Sequence, residues 1–127
     1  MINVLIVEDD HSLRLLYEKA LNLSGYNVLG SAKDGEEAVN MYKNFENKPD
    51  IILMDHRMPI KNGIDATKEI LNNSTHVKPR IIIASADKTI KDIALSIGAF
   101  SFKDKPFTLE RLFKNIEKAT SISEVSH

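Results

Sequence analysis

The chain of 127 residues contains no cysteine, which excludes disulfide bonds, thiol catalysis and cysteine-ligated metal sites. It also has no excess of charge of either sign, because 17 basic residues nearly balance 18 acidic ones. No dense basic cluster occurs along the sequence. The sequence therefore lacks the basic patch that is typical of nucleic-acid-binding proteins, and we expect no direct contact with nucleic acid.

Long hydrophobic runs are absent as well. The apolar run at residues 2–7 is far shorter than the ~20 residues needed to span a bilayer, and no positively charged segment precedes it. We therefore expect no membrane contact and a cytoplasmic location.

Apolar residues make up 43% of the chain and charged residues 28%, which is ordinary for a soluble globular protein. The length suffices for one hydrophobic core. We expect a single domain over residues 1–119, followed at 120–127 by a polar tail or the start of a linker, because helical periodicity is lost there.

Short apolar runs alternate with stretches of helical period, which predicts an α/β domain with a parallel sheet. The five predicted strands cover residues 2–7, 27–31, 51–54, 80–84 and 99–103. The first, third and fourth are unbroken apolar runs, as expected for central strands covered on both faces. Five helices are predicted from the intervening apolar stripes, and Asp10, Asp34 and Thr108 are expected to cap three of them.

Polar residues follow the predicted strands at the edge where the strands of a parallel sheet all end. In chain order they are Glu8, Asp9, Asp55, Ser85 and Lys105. Converging carboxylates repel one another unless a cation lies between them, and an oxygen-only donor set suits Mg²⁺. Because Mg²⁺ leaves coordination positions for phosphate oxygens, we expect the site to bind a phosphoryl group. Ser85 would donate a hydrogen bond to that group, and Lys105 would offset its negative charge. Asp55 is then the carboxylate that can attack phosphorus.

Each of these residues alone has an ordinary explanation. Ser85 could be a simple strand-end hydroxyl, Lys105 a surface lysine, and Asp10 is better explained as a helix cap than as a ligand. The four histidines, His11, His56, His76 and His127, lack the spacing of metal ligands, and we assign them no role. The inference depends on the set of strand-end residues taken together.

Four motifs carry a resemblance to the receiver domains of two-component response regulators. They are LIVEDD at 5–10, ILMDHRMP at 52–59 followed by Asn62-Gly63, IASA at 83–86 and KPF at 105–107. The resemblance implies a flavodoxin-like (βα)5 fold, a doubly wound parallel sheet of five strands in the order 2-1-3-4-5. It also implies that a sensor histidine kinase or a phosphotransfer protein supplies the phosphoryl group.

Roles for individual residues follow from the same resemblance. Asp55 would be the phosphoacceptor, Ser85 the phosphate-binding hydroxyl and Lys105 the phosphate-binding lysine, with a cis bond between Lys105 and Pro106. The metal set would be Glu8, Asp9, Asp55 and the backbone carbonyl of Arg57. Phe102 falls at the aromatic switch position, where members of the family often have tyrosine.

The positions two residues beyond Asp55 and two beyond Ser85 vary in the family and tune loss of the phosphoryl group. Here they are Arg57 and Asp87, and we expect them to form an ion pair that screens the phosphoryl group from water. The signal would pass from the face of the fourth helix, fifth strand and fifth helix to a downstream protein target. The resemblance also admits a phosphorylation-dependent homodimer, and it implies a switch and not a metabolic enzyme.

The sequence argues against two other function classes. A Mg²⁺-dependent phosphohydrolase that forms an aspartyl phosphate usually has an aspartate general acid two residues after the nucleophile, but that position holds Arg57. A flavodoxin-like module for a flavin phosphate would place the phosphate against Glu8, Asp9 and Asp55 without a glycine-rich loop. Both classes are disfavoured.

Overall fold

A computed structural model of the chain describes residues 1–75 and 77–125, with side chains through residue 121. The expectations for His76 and His127 concern residues outside these ranges. The strands are β1 (Asn3–Val7), β2 (Asn27–Ala32), β3 (Ile51–Asp55), β4 (Arg80–Ser85) and β5 (Ser101–Asp104). The α-helices are α1 (His11–Leu23), α2 (Gly35–Asn44), α3 (Gly63–Asn72), α4 (Lys91–Ser96) and α5 (Leu109–Val125), and a 3₁₀ turn (Lys88–Ile90) leads into α4.

All the strands are parallel and lie in one sheet of order β2-β1-β3-β4-β5. This is the flavodoxin-like arrangement, so the predicted fold class and strand order are confirmed. The register aligns the carboxyl ends: Val7 pairs with Met54, Asp55 with Ala84, and Ser85 with Asp104. The residues that end β1, β3 and β4 therefore meet at one edge of the sheet.

The core has two layers because alternate residues of each central strand point to opposite faces of the sheet. One layer packs α2, α3 and α4 against the sheet, and the other packs α1 and α5. Adjacent residues of β3 illustrate this, since Ile52 belongs to the first layer and Leu53 to the second. Every residue of β3 is buried, as predicted for a central strand, and its last residue is Asp55.

The helix caps follow the predictions. Asp10 Oδ1 accepts a hydrogen bond from the Leu13 N–H at 3.0 Å, and Asp34 Oδ1 accepts one from the Glu37 N–H at 2.8 Å. Thr108 Oγ1 accepts a bond from the Arg111 N–H at 3.1 Å. These side chains satisfy backbone donors that the first turn of a helix leaves free. Asp10 is thus explained as a cap, as expected.

Two predicted boundaries differ from the structure by more than one residue. β5 begins at Ser101 and not at residue 99, because the Ala99 N–H donates to the Ala94 carbonyl and Gly98, at φ 111°, turns the chain out of α4. α5 continues to Val125, so the stretch from 120 to 125 is helical where we expected a tail without regular structure. None of the helices in the described ranges has the length and hydrophobicity of a membrane-spanning segment.

Candidate functional site

Three carboxylates meet at the carboxyl edge of the sheet. Glu8 and Asp9 follow β1 and Asp55 ends β3, and one oxygen of each lies within 4.8 Å of the others. Glu8 is 2% exposed and Asp55 is 6% exposed, whereas Asp9 is exposed to solvent. The donor set is all oxygen, without histidine or cysteine, and open on the Asp9 side, which fits a Mg²⁺ ion that keeps some positions for water or phosphate.

Lys105 lies between two of these carboxylates. Its Nζ is 2.6 Å from Glu8 Oε1 and 3.2 Å from Asp55 Oδ1. The loop after β5 places it there, since the Lys105 N–H donates to the Ser85 carbonyl at 3.0 Å. The peptide bond between Lys105 and Pro106 is cis, as the resemblance implies. One ammonium cannot balance three ionised carboxylates, so this edge of the sheet retains an excess of negative charge that favours a divalent cation.

Burial and the neighbouring Glu8 charge together raise the pKa of Asp55 from 3.8 to about 7, and the ammonium of Lys105 opposes that rise. Burial by itself lowers the pKa of Lys105, but its hydrogen bond to Glu8 and the charge of Asp55 outweigh burial, so its pKa is raised. Lys105 therefore stays charged at neutral pH, while Asp55 exchanges a proton near neutrality when no cation is bound. A bound cation would favour the ionised carboxylate.

Ser85 and Asp87 connect the end of β4 to the site. Ser85 is 2% exposed, and its Oγ accepts a hydrogen bond from the Asp87 N–H at 3.0 Å. The Asp87 carboxylate accepts bonds from the backbone and hydroxyl of Thr89 at 3.0 and 2.5 Å, and these bonds hold its pKa below the usual value. Its other oxygen lies 3.2 Å from Arg57 Nη2. The expected ion pair between Arg57 and Asp87 is thus formed, with the Arg57 side chain 76% exposed.

Two predicted roles are not decided by these contacts. Phe102 lies in β5 opposite Ile83, half-buried against the layer that contains α2, α3 and α4, so its place in the core is clear while its switch role stays a prediction. The carbonyl of Arg57 as a metal ligand also stays a prediction.

Three residues support the site without having been predicted to do so. Arg14 on α1 donates from Nη1 to the Glu8 carbonyl at 2.9 Å, which fixes the turn that carries Glu8 and Asp9. His56 is half-buried, its Nδ1 lies 3.4 Å from the Ile64 N–H, and burial lowers its pKa. An arginine in a helix and a histidine in a loop are too common for the sequence to reveal these contacts.

Gly63 is the third supporting residue. A Cβ atom there would lie 2.2 Å from the Asp55 carbonyl oxygen, and the Gly63 N–H donates to the His56 carbonyl at 2.9 Å. Only glycine lets α3 begin this close to the end of β3. The Asn62-Gly63 pair was part of the motif set, and Asn62 caps α3 by accepting from the Asp65 N–H at 2.8 Å.

Known sequences that resemble this chain include response regulators, in agreement with the geometry of the site. A family profile described as the response regulator receiver domain matches residues 4–117. The chain is 38% identical to the chemotaxis protein CheY of Thermotoga maritima over 117 residues, covering 92% of this chain and 96% of that protein. It is 36% identical to the transcriptional regulatory protein PdtaR of Mycobacterium tuberculosis, covering 93% of this chain but only 56% of that protein.

Comparison with solved structures agrees. A chain in the CheX-CheY-BeF₃-Mg²⁺ complex from Borrelia burgdorferi superimposes with a TM-score of 0.86 at 30% sequence identity. The superposition covers 94% of this chain and 89% of that one.

Proposed function

The chain belongs to the family of response regulator receiver domains, and on that basis we propose that Asp55 accepts a phosphoryl group from a phosphohistidine of a sensor histidine kinase or a phosphotransfer protein. The observation that carries the proposal is the position of Asp55, buried beside Glu8 and Asp9 and in contact with Lys105. A merely structural aspartate has no need of two carboxylate neighbours, which raise the free energy of its ionised form.

The hydrogen bonds of the Asp55 carboxylate support Oδ2 as the attacking oxygen. Oδ1 accepts hydrogen bonds from the His56 N–H at 2.9 Å and from Lys105 Nζ at 3.2 Å. Among the residues that the structure describes, no N–H or hydroxyl donates to Oδ2, which is therefore the oxygen available to phosphorus. A new O–P bond forms at Oδ2, the P–N bond of the donor breaks, and its electron pair stays with the imidazole nitrogen.

The surrounding residues would stabilise the transferred group. Lys105 already lies beside Asp55 and offers its positive charge to a phosphoryl oxygen, and the Ser85 hydroxyl can turn its proton toward another. Mg²⁺ held by Glu8, Asp9, Asp55 and the Arg57 carbonyl would offset negative charge on the remaining phosphoryl oxygens.

We propose further that phosphorylation shifts a two-state equilibrium in the face formed by α4, β5 and α5. Ser85 ends β4, and Phe102 lies on the neighbouring strand β5. Movement of the Ser85 hydroxyl toward the phosphoryl group would therefore occur near the Phe102 ring. Rotation of that ring would then report the phosphorylated state. That face would bind a downstream protein target in the cytoplasm, with a second phosphorylated copy of the chain as another candidate partner. The chemistry is limited to self-phosphorylation and self-dephosphorylation.

Incubation with phosphoramidate and Mg²⁺ tests the proposal, because the donor has the same P–N bond as phosphohistidine. We expect a mass increase of one phosphoryl group per chain that requires Mg²⁺ and disappears when a chelator is added. Repeated hydrolysis of a phosphate monoester, which has no P–N bond, would indicate a phosphohydrolase. No reaction at all would contradict phosphoacceptor function.

The ion pair between Arg57 and Asp87 is expected to lengthen the life of the phosphorylated state by screening it from water. Arg57→Ala should raise the rate of dephosphorylation by up to about fivefold, because an exposed ion pair is a weak interaction. Loss of radiolabel from the purified phosphoprotein measures this rate. Arg111→Ala, which removes an exposed arginine from α5, is the matched control, and an unchanged rate in Arg57→Ala would refute the screening role.

A further inference from the structure

A cavity of about 350 Å³ lies at the opposite edge of the sheet from Asp55. It is bounded by the carboxyl ends of α3 and α4 and by Arg80, the first residue of β4. Its lining combines three basic side chains, Lys68, Lys78 and Arg80, with the apolar side chains of Leu71 and Phe100. A cationic rim around an apolar floor is the composition expected for an organic anion.

The charge of this cavity is not compensated by the protein. No acidic residue of the described chain lines it, and Lys68, Lys78 and Arg80 form no ion pair with any residue in the ranges 1–75 and 77–121. The chain as a whole carries a net charge of −1, so three uncompensated cations in one cavity are a local excess. An anionic ligand would be attracted to them.

Arg80 adds a second observation. Its Nε is buried and has no hydrogen-bond partner among the described residues, although its backbone N–H is held by the Asp50 carbonyl at 2.8 Å. The guanidinium lies 5.9 Å from the centre of the Phe100 ring, its one described side-chain interaction. A buried donor without an acceptor is costly, so an anion that drew the guanidinium into hydrogen bonds would lower the free energy of the site.

The three cations are not explained by the helix ends beside them. Basic side chains often satisfy the last carbonyls of a helix. Here backbone groups already do so, since the Asn73 N–H donates to the Glu69 carbonyl at 3.0 Å and the Gly98 N–H to the Leu95 carbonyl at 3.2 Å. The basic side chains therefore keep their donors available.

We propose that this cavity binds a small phosphorylated metabolite. The phosphate group would lie among Lys68, Lys78 and Arg80, since guanidinium and ammonium groups together match a dianion in charge and in donor geometry. The organic part would pack on Phe100 and Leu71. The site is separate from Asp55, and binding there needs neither phosphorylation nor Mg²⁺.

Titrations in chelator at physiological ionic strength test the proposal, with adenosine monophosphate, pyrophosphate, citrate and adenosine as probes. Amide chemical shifts locate binding, and we expect the two phosphorylated probes to shift the signals of Arg80, Gly98 and Phe100. Adenosine, which lacks the phosphate, should shift them little. Citrate binding as tightly as the phosphorylated probes would overturn the proposal in favour of a carboxylate ligand, and no shift with either phosphorylated probe would overturn it outright.

Two lysine variants distinguish binding in the cavity from a general effect of surface charge on affinity. Lys78→Gln should weaken binding of adenosine monophosphate and of pyrophosphate about tenfold, as expected for loss of one charged hydrogen bond. Lys19→Gln removes an exposed lysine from α1, on the other face of the sheet, and should leave the affinity unchanged. Equal weakening by both variants would overturn the proposal. Asp55→Asn should bind the probe as the wild type does, so failure of the phosphoacceptor proposal and failure of this one are distinguishable.

Discussion

The Asp55→Asn variant is expected to take up no phosphoryl group from phosphoramidate and, without divalent cations, to be more stable than the wild-type chain. The first effect follows because an amide oxygen is a poor nucleophile toward phosphorus and cannot form the acyl phosphate. The second follows because the substitution removes one of three carboxylates that lie within 4.8 Å of one another.

The size and the pH dependence of the stability gain in Asp55→Asn follow from the pKa of Asp55 in the wild-type chain. In the folded chain the pKa of Asp55 is raised from 3.8 to about 7, so the folded state binds more protons than the unfolded state between these values. The contribution of Asp55 to the stability of the wild type therefore falls as pH rises from about 4 to about 7. A shift of this size already includes the opposing effect of Lys105, and it corresponds to a gain of ~4 kcal/mol at most above pH 7.

Urea denaturation between pH 5 and 8 in chelator measures this effect, and mass spectrometry measures phosphorylation. The gain in the free energy of unfolding should shrink toward acid pH, and Mg²⁺ should stabilise the wild type more than the variant. Asp92→Asn, at an exposed aspartate outside the carboxylate cluster, should change neither quantity appreciably. A phosphorylated Asp55→Asn chain would disprove the assignment of the acceptor.

Replacing Lys105 with glutamine should have the second largest effect. Its ammonium contacts Glu8 at 2.6 Å and Asp55 at 3.2 Å, and both carboxylates are buried. Without it, two negative charges remain next to each other with no positive partner, and charge on the transferred phosphoryl group loses a stabilising neighbour. We expect phosphorylation to slow by about 100-fold, as when one preorganised donor is removed from a transition state.

Stability should fall in the same variant by about 2 kcal/mol, less than for a fully buried pair because Lys105 is partly exposed and Asp55 can take up a proton. Since protonation of Asp55 relieves the repulsion, the loss should be larger at pH 8 than at pH 6. Lys103→Gln, two residues earlier on β5, is the matched control because Lys103 does not contact the carboxylates. Equal rates and stabilities for the two variants would exclude Lys105 from the site.

The sequence was most informative where the fold itself brings residues together. Glu8 and Lys105 are 97 positions apart, yet their contact could be expected because parallel strands place their carboxyl ends at one edge. The contact between Arg14 and the Glu8 carbonyl could not be expected, because it depends on how α1 is rotated against the sheet. The start of β5 was placed too early because Ala99 continues the apolar pattern although its N–H belongs to the last turn before the strand. The basic cavity could not be predicted for a similar reason, since its residues come separately from α3, from the start of β4 with the loop before it, and from the loop after α4.

The depth of Asp55 has a consequence for how the chain would choose its phosphodonor. Of the surface of Asp55, 6% is exposed, and Asp9 lies on the open side of the carboxylate cluster. A protein that donates a phosphoryl group would therefore have to reach Asp55 with a single projecting side chain. Recognition of the correct partner and the transfer step would then depend on different residues, so one could be altered by mutation without loss of the other.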